Sequence, residues 1–466
     1  MNRATRSAGL QRGMLSARRS GLLWLAPLAW ALLTSAVATA EDLWDVYSLA
    51  LENEPQFAEA AAARRATQER LPEARAALLP QINAVASREE ESEQGERVGL
   101  VGEGIGLANT DTEATSTSYG VEVRQPLLRW DRWIRLRQAG TESERADLDY
   151  RVRVDALVLR AVDRYFGVLS AEDALAAARA GREAAQEQLQ QARDRMEVGL
   201  AAVTDLQEAR AAHDQARAEE IEAEHAVRIA RDALRTVTGR RIDRLARPTR
   251  DVALPDLEPL DEQGWLQRVL EANPEIGSAR LSADIAQREV QRQQSARLPT
   301  VDIVAGRTEV DRESGNLFDT FDLEGDSVRL EVAVPIFAGG AITARTRQAR
   351  FQSRAASKRL ESVRLDIEER TRAAFLNIQA STARVQAFRQ AVVSAEAALE
   401  ATQAGYEAGT RTVSEVLQSQ RNLLDAQTSL SRAIYDHLSS RLRLAVLAGS
   451  LDEQQVRDIN ALLTVK

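Results

Sequence analysis

The 466-residue chain contains no cysteine, and only 4% of its residues are aromatic. The first absence excludes a disulfide scaffold, a Cys-ligated zinc site, a Cys nucleophile and an acylated N-terminal Cys. The second argues against an aromatic-rich β core. Alanine fills much of the apolar quota and favours long, closely packed helices. Histidine is scarce too. His213, His225 and His437 are the only ones, none lies in HExxH, and the sequence has no GxSxG. No enzyme activity, cofactor or metal is therefore expected. A formal charge of −9 argues against nucleic-acid binding.

Long apolar runs are also missing beyond the N-terminus, so no transmembrane helix is expected and any membrane insertion must use strands. Residues 1–40 read as a secretory signal peptide. Five arginines (Arg3, Arg6, Arg12, Arg18, Arg19) precede an apolar stretch from Leu22 to Val37 and the small triplet Ala38-Thr39-Ala40. Cleavage would leave Glu41 first and take the charge from −9 to −14. An uncleaved anchor helix is the alternative, and Pro27 and the short apolar run speak against it.

What is present is a duplication. Leu51–Pro55 (LENEP) matches Leu270–Pro274 (LEANP), and Leu79-Pro80 matches Leu298-Pro299, both at an offset of 219. Val121–Leu128 matches Leu330–Phe337 at 209, and Met196–Ala209 matches Tyr406–Ser419 at 210. Four matches in one order mark two copies of one unit, the second shorter by about ten loop residues. Each unit reads helix-strand-strand-helix-helix. The first occupies 41–246, with strands over about 81–92 and 116–126 and a long helical hairpin over 128–238. The second occupies 261–448, with strands over about 300–311 and 327–335 and a hairpin over 338–447. Single opening helices are expected over Leu43–Leu78 and Asp261–Arg297. Gly199 and Gly409 mark the hairpin turns. Val227, Ala230, Leu234 and Val237 form a coiled-coil seam. Residues 247–260 form an extended, proline-bearing linker, and 449–466 a C-terminal tail.

The strands alternate. Val328, Leu330, Val332 and Val334 are separated by Arg329, Glu331 and Ala333, and Tyr119, Val121 and Val123 by Gly120 and Glu122. This is the pattern of a lipid-facing barrel strand and equally of a soluble sheet with one wet face. Four strands cannot close a membrane barrel, so membrane insertion would force an oligomer. Trp130 and Trp133 suit an interfacial belt or packing between strands and helices. Gly99–Gly106 (GLVGEGIG) lacks the order of a phosphate cradle and reads as a flexible outer loop.

These features resemble the TolC family of outer-membrane efflux and secretion channels over the whole mature chain. The most specific parts are Met196–Leu200 with Thr204-Asp205, Tyr406 with Gly409-Thr410-Arg411, and Val334–Phe337 with Gly339-Gly340. The resemblance implies a mainly α protein with a membrane β-barrel part. It implies a homotrimer with a 12-stranded barrel in outer-membrane lipid and a long periplasmic α-helical barrel, belted by the linker and tail. It implies a passive exit duct working with a periplasmic adaptor and an inner-membrane ABC or proton-driven transporter. It also implies a periplasmic gate in which Asp205 ties Tyr406 and Arg411. Gln188 and Gln403 stand at a second tie, where the family commonly pairs Gln with Glu. Glu415 stands at a constriction ring, with Gln418 where a second acid is usual, so one acidic ring is missing. Gly199, Leu200, Gly409 and Thr410 form the tips expected to dock the adaptor. Type I protein secretion is favoured, since efflux-dedicated members are often lipoproteins. Multidrug efflux and a periplasmic adaptor-type coiled-coil protein are the alternatives.

Overall fold

A computed structural model describes residues 40–101, 104–199, 202–254, 261–314, 320–451 and 453–464. The proposed signal peptide lies outside the described residues, except Ala40. In the first repeat, α1 (Leu43–Asn53), α2 (Pro55–Gln68) and α3 (Arg70–Ala76) lead to strands β1 (Gln81–Val101) and β2 (Gly104–Leu128). Helix α4 (Trp130–Glu197) and its return α5 (Val203–Thr238) follow. A short strand β3 (Arg247–Pro248) lies in the linker. The second repeat runs through α6 (Glu262–Ala272), α7 (Pro274–Ser295), β4 (Thr300–Ser314), β5 (Phe321–Ala333), α8 (Ala341–Glu407) and α9 (Val413–Leu447). The tail carries α10 (Glu453–Asn460) and β6 (Leu463–Thr464).

The opening segments are not single helices, and the repeated motif itself is the reason. Glu54 and Asn273 each precede a proline and take extended backbone, with ψ of 117° and 124°. A residue before proline is pushed out of the α region, and the proline then starts a new helix at its first position. Asn273 also caps α7 by accepting from Glu275 N at 2.9 Å and Ile276 N at 3.1 Å. The first segment breaks again at Glu69.

The four long strands form one antiparallel sheet in the order β1-β2-β4-β5. All four run further into their hairpins than the alternation predicts. β1 reaches Val101 rather than about 92, β2 begins at Gly104 rather than 116, and β4 continues to Ser314 rather than 311. Gly99–Val101 and Gly104–Gly106 are therefore paired strand, not a flexible loop. Backbone pairing needs no apolar face, so the glycine-rich and acidic part of the hairpin left no alternating signal. β5 starts earlier, at Phe321, and ends at Ala333, before Pro335, which has no N–H to give a ladder.

The register separates the faces. Ile82 pairs with Val123 and Ala84 with Val121, while Val332, Leu330 and Val328 pair with Val301, Ile303 and Ala305. On this face Val328 is 82% exposed and Leu330 62%. The other face carries charge: Arg124 bonds Glu331 at 2.9 Å and Glu122 at 3.4 Å, and Arg129 reaches Asp302 at 3.5 Å. β1 and β5 are the sheet's edges.

Helices α4 and α8 have 68 and 67 residues, each about 100 Å long at ~1.5 Å per residue. The main core joins both hairpins to the linker and tail. Leu157, Tyr165 and Leu169 of α4 meet Leu234 and Val237 of α5, Leu438 and Leu442 of α9, Val252 of the linker and Val456 of α10. Leu234 and Val237 of the seam expected on α5 are thus part of the core, and Ala230 packs against it. β3 pairs with β6, which fastens the linker to the tail. Arg247 also bonds Glu172 and Asp173 of α4, and Tyr435 of α9 donates to Asp173 at 2.6 Å. The linker is therefore held against both hairpins.

His437 lies in this core at 1% exposure. Its Nδ1 is 2.8 Å from Ser381 Oγ, and its Nε2 is buried without a partner. Burial, aided by Arg441, holds its pKa down at about 4, against 6.5. The unfolded chain then takes up the proton first as pH falls. Stability from neutral His437 is full above about pH 6.5 and is lost progressively toward pH 4. The loss should reach about 3 kcal/mol per copy. His437→Gln should flatten the fall in denaturation midpoint between these pH values; an unchanged pH slope would contradict the assignment.

Candidate gate and membrane face

The free ends of the two hairpins lie together. Ala185 of α4, Ala212 and Ala216 of α5, Tyr406 of α8 and Val413, Val416 and Leu417 of α9 form one apolar cluster. All four long helices thus meet close to the turns. Each turn depends on a glycine in the left-handed region, Gly199 at φ 78° and Gly409 at φ 73°. At the second turn Gly409 N donates to Tyr406 O at 3.0 Å and Thr410 N to Gly405 O at 2.9 Å. This is the Schellman pattern, which satisfies the last carbonyls of α8. Leu200 lies outside the described residues.

Asp205 and Glu415 occupy matching places, the third residue of α5 and of α9. Ala202 N donates to Asp205 Oδ2 at 3.3 Å, and Thr412 N donates to Glu415 Oε2 at 2.8 Å. The second box is complete, because Glu415 N also donates to Thr412 Oγ1 at 3.3 Å. The first is half-made, since Ala202 has no side-chain oxygen. Arg411 donates to Glu415 Oε1 at 2.7 Å. The Thr412 N–H, followed by the Arg411 guanidinium, holds the Glu415 carboxyl below the usual carboxylate range.

Within one chain, then, Arg411 is paired with Glu415 rather than with Asp205. Tyr406 is buried, and the Arg195 guanidinium lies 4.4 Å from its ring centroid. Gln188 Oε1 is buried without a partner, whereas Gln403 is exposed. The structure does not join these two glutamines within the chain. Gln418 bonds Asn422 at 2.9 Å, one helical turn on.

Two neighbours were not singled out from the sequence. One is Arg195, one of many arginines in its helix and so without a distinguishing signal. The other is Gly405. A Cβ there would come within 2.7 Å of Arg411 Cγ, so glycine gives Arg411 room to fold back beside α8. A glycine inside a strongly helical run, next to Tyr406, was the available clue.

At the other end, the bare apolar face of the sheet continues past the strands. Val334, Ile336 and Phe337 are exposed, Ile336 at 95%, and Trp130 and Trp133 are half-exposed at the start of α4. Among the described residues no helix is long and apolar enough to cross a membrane.

Comparison with known proteins agrees with this arrangement. The model of the outer membrane efflux protein family matches residues 46–240 and 265–450, one segment in each repeat. The outer membrane protein TolC of Vibrio cholerae is 35% identical over 434 residues, covering 92% of this chain and 96% of that protein. The alkaline protease secretion protein AprF of Pseudomonas aeruginosa is 30% identical, covering 93% and 89%. Among solved structures, the outer membrane protein VceC of Vibrio cholerae superposes with a TM-score of 0.72 at 19% identity, covering 87% of this chain and 96% of that one. The chain therefore belongs to the outer membrane efflux protein family and is a TolC-type export channel of the outer membrane, with its helical part in the periplasm.

Proposed function

We propose that three copies assemble into a passive exit duct for type I protein secretion. The observation that carries the reading is the sheet: four strands, two open edges, one exposed apolar face and one charged face. Three such sheets joined edge to edge give twelve strands, enough to close a barrel with the apolar face to lipid. A periplasmic adaptor would dock the tips at Gly199, Leu200, Gly409 and Thr410, and an inner-membrane ABC transporter would supply energy and cargo. Resemblance to AprF and to the proteases secretion protein PrtF of Dickeya chrysanthemi, 29% identical over 437 residues, supports the secretion reading. In this assembly Asp205 ties Tyr406 and Arg411 to close the gate, Gln188 and Gln403 make a weaker second tie, and Glu415 lines the constriction above Gln418.

Deletion of the gene should abolish appearance of a secreted protein in the medium while leaving drug susceptibility unchanged. Increased drug sensitivity with normal secretion would favour a proton-driven efflux partner. The mature protein should begin at Glu41 and crosslink as a trimer in outer-membrane fractions. A monomer in mild detergent would sink the assembly.

A further inference from the structure

Where α9 ends, α7 begins. Asn273 Nδ2 donates to Leu447 O at 2.8 Å, so the two helices abut end to end. A cavity of about 440 Å³ opens beside the junction. Its walls are Val152, Ala156 and Leu159 of α4, Ala373 of α8, and Val446 and Leu447 of α9. Its size falls in the range of about 300–1,000 Å³ typical of small-molecule sites.

Asp155 of α4 lines this apolar space. No hydrogen bond or ion pair reaches its carboxylate among the described residues. Glu275, Arg370 and Arg443 also line the cavity, and both arginines are paired with other acids. Arg370 of α8 holds Glu275 of α7 at 2.8 Å and Asp366 at 2.8 Å. Arg443 of α9 holds Asp163 at 2.9 Å. Arg151, one turn back on α4, supplies the only attraction, and burial outweighs it, raising the carboxyl pKa to about 6. Tyr47 of α1 is near enough to be raised in turn by the Asp155 charge.

The duplication leaves this acid without a counterpart in the second repeat. At the 210-residue offset Leu157, Ala161, Tyr165 and Val168 match Ile367, Thr371, Phe375 and Ile378, and all eight are buried. At the same offset Asp155 matches Leu365, which is 60% exposed. The second repeat thus carries an exposed apolar residue at the corresponding position. The carboxylate belongs to this cavity alone.

We propose that the cavity between α4, α8 and the α9–α7 junction binds an amphiphilic organic cation, with its ammonium group on Asp155 and its apolar body against Val152, Ala156, Leu159 and Val446. An unpaired carboxylate in an apolar pocket favours a ligand that brings a positive charge and a desolvating hydrocarbon together.

The test uses the purified full-length protein in lipid nanodiscs, titrated with 4-phenylbutylammonium and with the neutral 4-phenylbutanol, followed by saturation-transfer NMR and calorimetry. The amine should bind saturably at about pH 7.5 and at least tenfold more tightly than the alcohol. Its affinity should fall about tenfold by about pH 5, because protonation of Asp155 removes the charge that holds it. Asp155→Asn should weaken the amine at least tenfold and leave the alcohol unchanged. Asp155→Leu, which copies the second repeat, serves if the amide variant does not fold. Equal affinity for amine and alcohol, or no saturable binding of the amine, overturns the proposal on wild-type protein alone. Undiminished amine binding by either variant overturns it as well.

Discussion

Gly449→Val should leave little folded protein. Gly449 ends α9 at φ 61°, with Gly449 N donating to Val446 O at 3.0 Å and Ser450 N to Ala445 O at 3.1 Å. A Cβ at this place would run into the carbonyl oxygen of Ala272, at the end of α6. The obstruction is backbone, so no side-chain rotation relieves it. A β-branched residue adds strain of about 1–3 kcal/mol at positive φ, and the clash comes on top. A total loss above about 4 kcal/mol is expected, measured as denaturation midpoint and yield of assembled protein. Gly239, at the 210-residue offset, ends α5 at φ 73°, but its Cβ would meet the Asn53 side chain at 2.8 Å. The atom met is Asn53 Cβ, which rotation does not move, but the approach is less close than the one at Gly449, so Gly239→Ala should cost less than Gly449→Val, about 2 kcal/mol. Gly199→Ala has the same positive φ with open space around it and isolates the backbone strain. The order Gly449, Gly239, Gly199 is the prediction, and any other ranking would refute the steric account.

The Glu54–Pro55 and Asn273–Pro274 junctions show what could be read from the sequence and what could not. The duplication, both hairpins and their glycine turns were legible, because long runs of helix formers and a left-handed glycine are local signals. Leu51–Pro55 and Leu270–Pro274 were recognised as repeats, yet their meaning as helix breaks was missed. The prolines at 55 and 274 stood inside continuous helical pattern, and only the extended backbone of Glu54 and Asn273 settles the break. Strand ends failed for a different reason. Ile82–Ala86 and Tyr119–Val123 alternate because one face needs apolar residues. Beyond them the chain reads Glu89, Glu90, Glu91 and Glu93, and pairing continues through hydrogen bonds alone.

The gate residues were legible only as positions. Asp205 and Glu415 were recognisable as acids in the first turn of a helix, and that is where both make their bonds within the chain. A helix-terminal acid and a gate carboxylate use the same residue at the same place, so sequence alone does not separate the roles. The linker was read as an extended strap. Its attachment by Arg247 to Glu172 and Asp173 joins residues more than 70 positions apart, and arginines and acids are too common here to pair by inspection.

Arg411→Glu should open the channel without a partner protein. In the chain Arg411 lies beside Glu415, and the apolar cluster of Tyr406, Val413 and Val416 brings the two hairpin tips together. In the assembled gate we propose that the same guanidinium also serves Asp205. A hydrogen bond to a charged group contributes about 1.5–3 kcal/mol, so three Asp205 ties would together supply several. Shifting a two-state equilibrium from 99:1 to 1:99 takes about 5.5 kcal/mol. Ties of that size hold the gate shut, yet adaptor binding can release them. Charge reversal removes each tie and sets three like charges side by side, so single-channel conductance in planar bilayers should rise at least tenfold. Two further variants separate the roles of Arg411. If it acts through Asp205, then Asp205→Asn opens the channel and Glu415→Gln leaves it closed with altered ion preference. If it only completes the first turn of α9, Glu415→Gln mimics Arg411→Ala and Asp205→Asn is silent. The second pattern, or an assembled Arg411→Glu protein that conducts no better than wild type, would remove Asp205 from the gate.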